Sequence, residues 1–454
     1  TMSLRIGLCS LSALVLAHGL MAWSAEAQVI DPPETVEPLG NRQPPGPDAQ
    51  KLAAIVKSQK ALVVLGKALF WDAAVGGDGQ ACASCHFNAG ADPRVVNQLN
   101  PGLRAVPGDA GFGGVQPVTA LTRGGFLQAT GKKAAPNIKL DAKDFPFHQL
   151  KDISNRQSQL LYDTNDVFSS QGVFDGIFIG LSPVIKVLGG TRDFCKQGPD
   201  GIFEITIGGV KRKVRKIEPR NTPTMINAAF FHRNFWDGRA NNVFNGVSPF
   251  GLRDPGAFIF KSPASANGPL QAERLELENS SLASQAVGPP GSDFEMACGG
   301  RNFSDIGRKM LPRTALAGAK IAPTDSVFAG LIHPGDNRGL TTTYDSLVQQ
   351  AFRDELWNAV GTFDAIGAVS ASGYTQKERN FSLFWGLAIE AYERTLISNQ
   401  TPFDKGMMST PQQAGLAVFT GKGKCVACHV GPLFSGAAMP PRQPEELVEH
   451  MVMG

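Results

Sequence analysis

The sequence predicts a mainly α-helical protein with a duplicated unit near its two ends and with loops and a β-hairpin inserted between the copies. Three observations predict it. "CASCH" at 82–86 and "CVACH" at 425–429 repeat one pentad, and each follows a similar apolar leader, "LGKALF" at 65–70 and "AGLAVF" at 414–419. Helix-start signals precede the second pentad. Thr375 and Glu378 fit a capping box ahead of Phe384, Leu387, Ala388, Ala391 and Tyr392 on one face, and Thr410-Pro411 opens a further helix. Between the pentads lie Gly-rich stretches such as "PGDAGFGGVQP", which read as loops, and "IFEITIGGVKRKVRK", which alternates around a Gly208-Gly209 turn.

Taken in order, Arg5, the apolar stretch from Ile6 to Trp23 and the Ala25-Glu26-Ala27 site predict a signal peptide over 1–27 and a periplasmic or otherwise exported product. Residues 28–48 are rich in proline and read as an extended linker. The folded part starts at Ala49. A first domain over 49–373 holds the first pentad, with insertions near 95–215 and 241–280; a second, over 374–454, holds the other and reads as truncated, because only a short tail follows His429. No later stretch approaches the roughly 20 apolar residues of a membrane span, so none is expected after signal removal. The formal charge of +3 over 454 residues argues against nucleic acid as a partner. The basic run "KRKVRK" at 211–216 is expected to be a solvated strand face.

Of the seven cysteines, Cys9 leaves with the signal peptide and four sit in the pentads; Cys195 and Cys298 remain, a disulfide candidate in an oxidising compartment. In C-x-x-C-H the two thiols form thioethers to porphyrin vinyls and hold the adjacent imidazole beneath the iron. Cys82 and Cys85 with His86, and Cys425 and Cys428 with His429, therefore predict two covalently bound c-type haems. A zinc site would group four such ligands, whereas one pentad recurs here after similar leaders.

The blocks "LGKALFWD", "CASCH", "PRNTPTMINAAF", "FWDGRA", "FEM", "AIEAYERTLISNQTPFD" and "CVACHVGPLFS" resemble, in order, those of the bacterial di-haem cytochrome c peroxidases and the related di-haem cofactor-maturation enzymes. The resemblance implies two cytochrome c-like haem domains, the first enlarged by the loop and β-hairpin insertions. It also implies that His86 ligates a peroxidatic iron and His429 an electron-transfer iron. Trp236 in "FWDGRA" matches the tryptophan between the haems, and Asn221 in "RNTPT" matches a ligand of an interdomain calcium. Glu295 in "FEM" matches the family's acid, and heterolysis of peroxide needs such a base. Lys213 stands where many relatives put a removable histidine, which implies an open position on the first iron; His148 and His232 are the competing histidines.

The implied reaction reduces hydrogen peroxide to water with electrons from a small donor protein such as a cytochrome c or cupredoxin, in a chain compatible with a homodimer. An oxidase of an organic or protein substrate and a plain di-haem electron carrier are the alternatives.

Overall fold

The computed structural model describes residues 35–438, apart from 95, 98–99, 102–137, 140–147, 164–165, 168, 183–189, 199–202, 208 and 219. The segment read as a signal peptide, the tail from Met439 onward with His450, much of the first insertion and the side chain of His148 lie outside the described residues. Among the described residues helix accounts for 26% and strand for 16%, in keeping with a mainly α protein.

The helices are α1 (Ala49–Ala53), α2 (Gln59–Trp71), α3 (Ser281–Ala286), α4 (Phe303–Met310), α5 (Tyr344–Ala351), α6 (Gln376–Arg379), α7 (Phe381–Glu393) and α8 (Thr410–Thr420). Their starts follow side-chain chemistry. Ser58 Oγ accepts from the Ala61 amide at α2, and Thr375 and Glu378 form the expected capping box at α6. Ser409 and Gln412 form another at α8, with proline in the first turn. Each cap satisfies amides that the helix leaves without a partner.

The core forms where α2 packs on α7, with α3 and α5 against them. Leu65, Leu69, Phe70, Phe384 and Trp385 are fully enclosed there, each contributing about 1.5–3 kcal/mol relative to exposure. Gly66 makes the close approach possible: a Cβ there would lie 1.7 Å from the Ala388 carbonyl oxygen. The second leader is different. Gly415, the matching residue on α8, faces open space, and α8 buries no residue. The copies therefore share a motif but not a packing environment. At the foot of α2, buried Asp72 accepts from the Tyr344 hydroxyl at 2.7 Å and the Ala74 and Leu316 amides at 2.8 and 3.1 Å, tying three segments through one carboxylate.

The described strands form antiparallel pairs. Ile177–Ser182 pairs with Arg192–Lys196, and the second of these carries two anchors to the helical core. Cys195 is disulfide-bonded to Cys298. Two residues earlier, buried Asp193 pairs with Arg301 and, at 3.0 Å, with Lys309 of α4. The hairpin read from "IFEITIGG" is present as Glu204–Ile207 against Val210–Lys213, turning at Gly209 with φ +79°. The basic run that follows is not a uniform solvated face. Lys211 and Arg212 are exposed, but Lys216 is buried between Asp175 at 2.8 Å and Asp293 at 3.7 Å. Two carboxylates from distant segments compensate its desolvation.

The described part of the Pro-rich stretch turns at Gly40–Asn41 and is docked on the rest of the chain. Leu39 is buried, and its amide donates to Asp404 Oδ1 at 2.8 Å. Arg394, at the end of α7, donates to the Pro44 and Pro45 carbonyls. Val36 bridges to Gly431, just past the second pentad.

Candidate functional site

Each pentad folds as one 3-10 turn, Cys82–Ser84 and Cys425–Ala427. The amides of His86 and His429 donate to the carbonyls of Cys82 and Cys425, both at 2.9 Å. The imidazoles are held alike. His86 Nδ1 lies 2.9 Å from the Pro223 carbonyl oxygen, and His429 Nδ1 lies 3.1 Å from that of Phe434. A carbonyl can only accept, so Nδ1 carries the proton and Nε2 keeps its lone pair for a metal. Burial lowers the His86 pKa below that of free imidazole, against the pull of the Pro223 bond, which favours the neutral ligand form. The donor set fits haem: two unbridged cysteines and an oriented imidazole in each copy.

A wall rises beside the first pentad. The strand Gln171–Phe174 accepts at the Gly172 carbonyl from Gln80 Nε2 at 2.9 Å and from Arg215 at 2.8 Å. It pairs on one side with Arg215–Ile217. On the other, the Val173 amide donates to the Phe294 carbonyl at 3.2 Å. Gly172 is the enabling residue, since a Cβ there would lie 1.6 Å from the Phe294 carbonyl oxygen.

This wall brings Glu295 to the first pentad. Its amide donates to Ser292 Oγ at 3.3 Å, and burial pushes its carboxyl up, against the pull of Ser292, Arg239 and Arg220. Glu218 is pushed up by burial and by the charge of Glu295, with Arg220 and Arg239 opposing. Burial likewise pushes up the Cys82 and Cys85 thiols, with Glu393 and, less strongly, Glu295 adding at Cys82, and Asp92 and, less strongly, Glu218 at Cys85. Both carboxylates therefore stand within electrostatic reach of the first motif. Glu218 is absent from the expectations above, although it directly precedes the "PRNTPT" block; only strand pairing reveals its neighbour.

Trp236 is 60% exposed, with the Arg220 guanidinium 4.3 Å above its ring. Arg239 stacks similarly on Phe235 at 3.9 Å and pairs with Asp237 at 2.9 Å. Asn221 is exposed. Among the described residues no three His, Cys, Asp or Glu side chains gather as a metal cluster. Lys213 donates from Nζ to the Gly198 carbonyl. His232 is half-buried on a segment whose neighbour Phe231 bridges to Ala438, close in sequence to the second pentad. Among the described residues no helix is long and apolar enough to cross a membrane.

Two tethered imidazoles, one of them beside the helical core, suit a class of haem-binding protein, and comparison with known proteins bears on that class. The family model for di-haem cytochrome c peroxidase matches residues 196–412, a span holding Glu218, Trp236 and Glu295 but neither pentad. At family level the likeness is thus to a peroxidase-like oxidoreductase that uses haem, as the sequence blocks imply.

Among curated proteins, cytochrome-c peroxidase IdrP1 of Denitromonas iodatirespirans is 50% identical over 56 residues, 11% of this chain and 15% of that protein. IdrP1 of Pseudomonas sp. (strain SCT) is 45% identical over 56 residues, with the same coverage. IdrP2 of Denitromonas iodatirespirans is 44% identical over 50 residues, 10% of this chain and 14% of that protein. The chain spans 14–15% of the length of these relatives in the matched stretches.

Proposed function

We propose that this chain is a di-haem c-type peroxidase that reduces hydrogen peroxide to water with electrons from a small redox protein, a cytochrome c or cupredoxin, after export from the cytoplasm. The observation that carries this reading is an asymmetry. Both pentad imidazoles are tethered with Nε2 free, and the first also has the carboxylates Glu295 and Glu218 within reach. A site that only relays electrons has no use for a proton acceptor.

Bound haem supplies the iron at which peroxide reacts and the store for its oxidising equivalents. The chain supplies the rest. Cys82, Cys85, Cys425 and Cys428 form the thioethers, and His86 and His429 hold the irons. Pro223 and Phe434 fix the ring orientations. Glu295 takes the proton from one peroxide oxygen and returns it to the departing one, a transfer that typically supplies about 100 to 10,000-fold in rate. Trp236, with Arg220 on its face, would serve as an aromatic relay for electrons once haem is bound, and Asn221 would offer one carboxamide oxygen to a calcium ion, which takes oxygen ligands.

The test is peroxide consumption by the haem-loaded full-length chain with reduced cytochrome c, together with cyanide binding to the oxidised protein. Turnover and one cyanide-accessible iron are expected. Two irons closed to cyanide and no turnover would leave an electron carrier and overturn the reading.

A further inference from the structure

The two imidazoles are aimed by different means. The first pentad follows α2, which is packed into the core against α7, whereas α8, which precedes the second, buries no residue. The second motif is therefore not held through its leader helix. His429 Nδ1 lies 3.1 Å from the Phe434 carbonyl oxygen, so the ring is aimed by the turn that follows it. That turn closes where the Ser435 amide donates to the Val430 carbonyl at 2.9 Å, and it passes through the left-handed region at Gly431, φ +67°, and at Phe434, φ +55°. A phenylalanine keeps such a backbone only where its surroundings impose it.

The Pro-rich stretch supplies those surroundings from two sides. On one, the Gly431 amide donates to the Thr35 carbonyl at 3.1 Å, and Val36 forms a parallel bridge with Gly431. On the other, the Phe434 ring packs edge-on against Phe403, with ring centres 5.4 Å apart, and against Phe419 of α8 at 5.6 Å. Phe403 sits in a turn closed by Asp404, whose Oδ2 accepts from the Thr401 amide at 3.0 Å and from its hydroxyl at 2.6 Å. Oδ1 of the same carboxylate accepts from the Leu39 amide at 2.8 Å. The stretch is anchored in its turn. Leu39 is 2% exposed, Arg394 at the end of α7 donates to the Pro44 and Pro45 carbonyls, and Asn399 Nδ2 donates to the Gly40 carbonyl at 2.8 Å. A further tie, the bridge from Phe231 to Ala438, lies beyond the turn. His86 is aimed separately, by the Pro223 carbonyl, on a segment joined to the first pentad's own loop where the Asp92 amide donates to the Thr222 carbonyl at 3.0 Å.

We propose that residues 35–46 form a clasp that positions the second haem ligand: by holding Gly431 and, through Asp404, Phe403, the clasp fixes the turn whose Phe434 carbonyl orients His429. Leu39 and Asp404 are positioning residues, acting through the turn. The inference rests on the reading of His429 as a haem ligand and goes beyond it by naming what sets the ring. A hydrogen bond to the far nitrogen of a metal-bound imidazole fixes its tautomer and orientation and tunes the metal. The clasp is therefore felt at the second haem alone.

The experiment uses the oxidised, haem-loaded full chain and its Asp404→Ala, Asp404→Asn and Leu39→Ala variants. A Cys425→Ala/Cys428→Ala chain, which attaches only the first haem, identifies the signal of each. Electron paramagnetic resonance reads ligand orientation at each iron, and amide exchange followed by mass spectrometry reads the turn. In Asp404→Ala the signal of the second haem should shift or broaden while that of the first stays as in the parent, and the peptide spanning 430–435 should exchange about tenfold faster or more. Asp404→Asn keeps an oxygen for the Leu39 amide and should restore the parent signal. Peroxide turnover with reduced cytochrome c should fall by about 10 to 100-fold in Asp404→Ala, the usual cost of disturbing groups that orient a metal-bound imidazole. Leu39→Ala leaves the carboxylate in place and should give the same change in smaller measure; it decides the matter if Asp404→Ala does not fold. An unchanged second-haem signal in Asp404→Ala and Leu39→Ala, or equal changes at both haems, overturns the clasp. A parent chain that carries one haem, at the first pentad, overturns instead the ligand reading on which the clasp rests, and a count of haems per chain tells the two failures apart. Absent turnover in a parent with two haems overturns the peroxidase reading, while resonance and exchange still decide the clasp.

Discussion

Breaking the Cys195–Cys298 bridge tests how the strand-rich insertion is held to the helical core. The perturbation is the double variant Cys195→Ser/Cys298→Ser in the haem-loaded full chain. The bridge spans a sequence separation of 103 residues. In the chain-entropy description, opening a loop of that size gives the unfolded chain about 4.7 kcal/mol of additional freedom at 25 °C. The folded side should change little, because the strand keeps its ladder with Ile177–Ser182 and Asp193 keeps Arg301 and Lys309. A loss of about 3–5 kcal/mol is therefore expected. Urea unfolding followed by tryptophan fluorescence measures it, and the denaturant slope should rise slightly as the unfolded chain expands. Thiol titration of the denatured, unreduced parent should find no reactive thiol. A loss below about 1 kcal/mol would show that the crosslink does not restrict the unfolded chain as calculated. Two titratable thiols in the parent would remove the premise.

Three other outcomes follow from the geometry. Glu295→Gln should keep both haems, as read from the visible spectrum, and lose about 100 to 10,000-fold in peroxide turnover; unchanged turnover would move the acid elsewhere. Gly66→Val should cost about 1–3 kcal/mol in thermal or denaturant unfolding, because its Cβ cannot share space with the Ala388 carbonyl; a neutral result would mean α2 and α7 separate freely. Burial pushes Glu390, 3% exposed, up to about 7, against the pull of Arg394, and burial with Glu390 pushes Glu393 up to about 8. The folded state then binds these protons more tightly than the unfolded chain does. Their stabilising contribution is complete below about pH 4.5 and is lost as pH rises toward 7 to 8, by up to about 3 kcal/mol for Glu390. Glu390→Gln should flatten the stability profile over that window, and an unchanged slope would refute the assignment.

The parts of this molecule that were legible in the sequence are those whose chemistry is local or stoichiometric. The pentads stand out because two thiols and an imidazole at one fixed spacing recur in both copies, and each folds as the same 3-10 turn. The cap at Thr375 is set within one helical turn, and the start read at Thr410-Pro411 lies one residue past its cap, Ser409; Cys195 with Cys298 followed from what the pentads left over. Glu218 was not legible, because its neighbour Glu295 is chosen by pairing across Gln171–Phe174 and by the contact of Val173 with Phe294. Lys216 failed the expectation of a solvated run for the same reason, since Asp175 and Asp293 arrive from distant segments. Trp236 was recognised by its block, but its exposure beneath Arg220 depends on how two turns of chain fold over each other.

The docked Pro-rich stretch has a consequence for the order in which the molecule is made. Leu39 and Asp404 are 365 residues apart, and Val36 meets Gly431 across a still longer span. A chain emerging from the ribosome presents this stretch long before its partners. Loop closure over such a distance carries its entropic cost before any contact rewards it, which slows folding. The core of α2, with Leu65 and Phe70, has the same dependence, since α7 is also made late. The early part of the chain must therefore wait, partly unfolded, with "CASCH" accessible, until α7, Asp404 and Gly431 have followed it. That interval leaves Cys82 and Cys85 open to reagents in solution before burial of Ala81 and Ala83 closes around them.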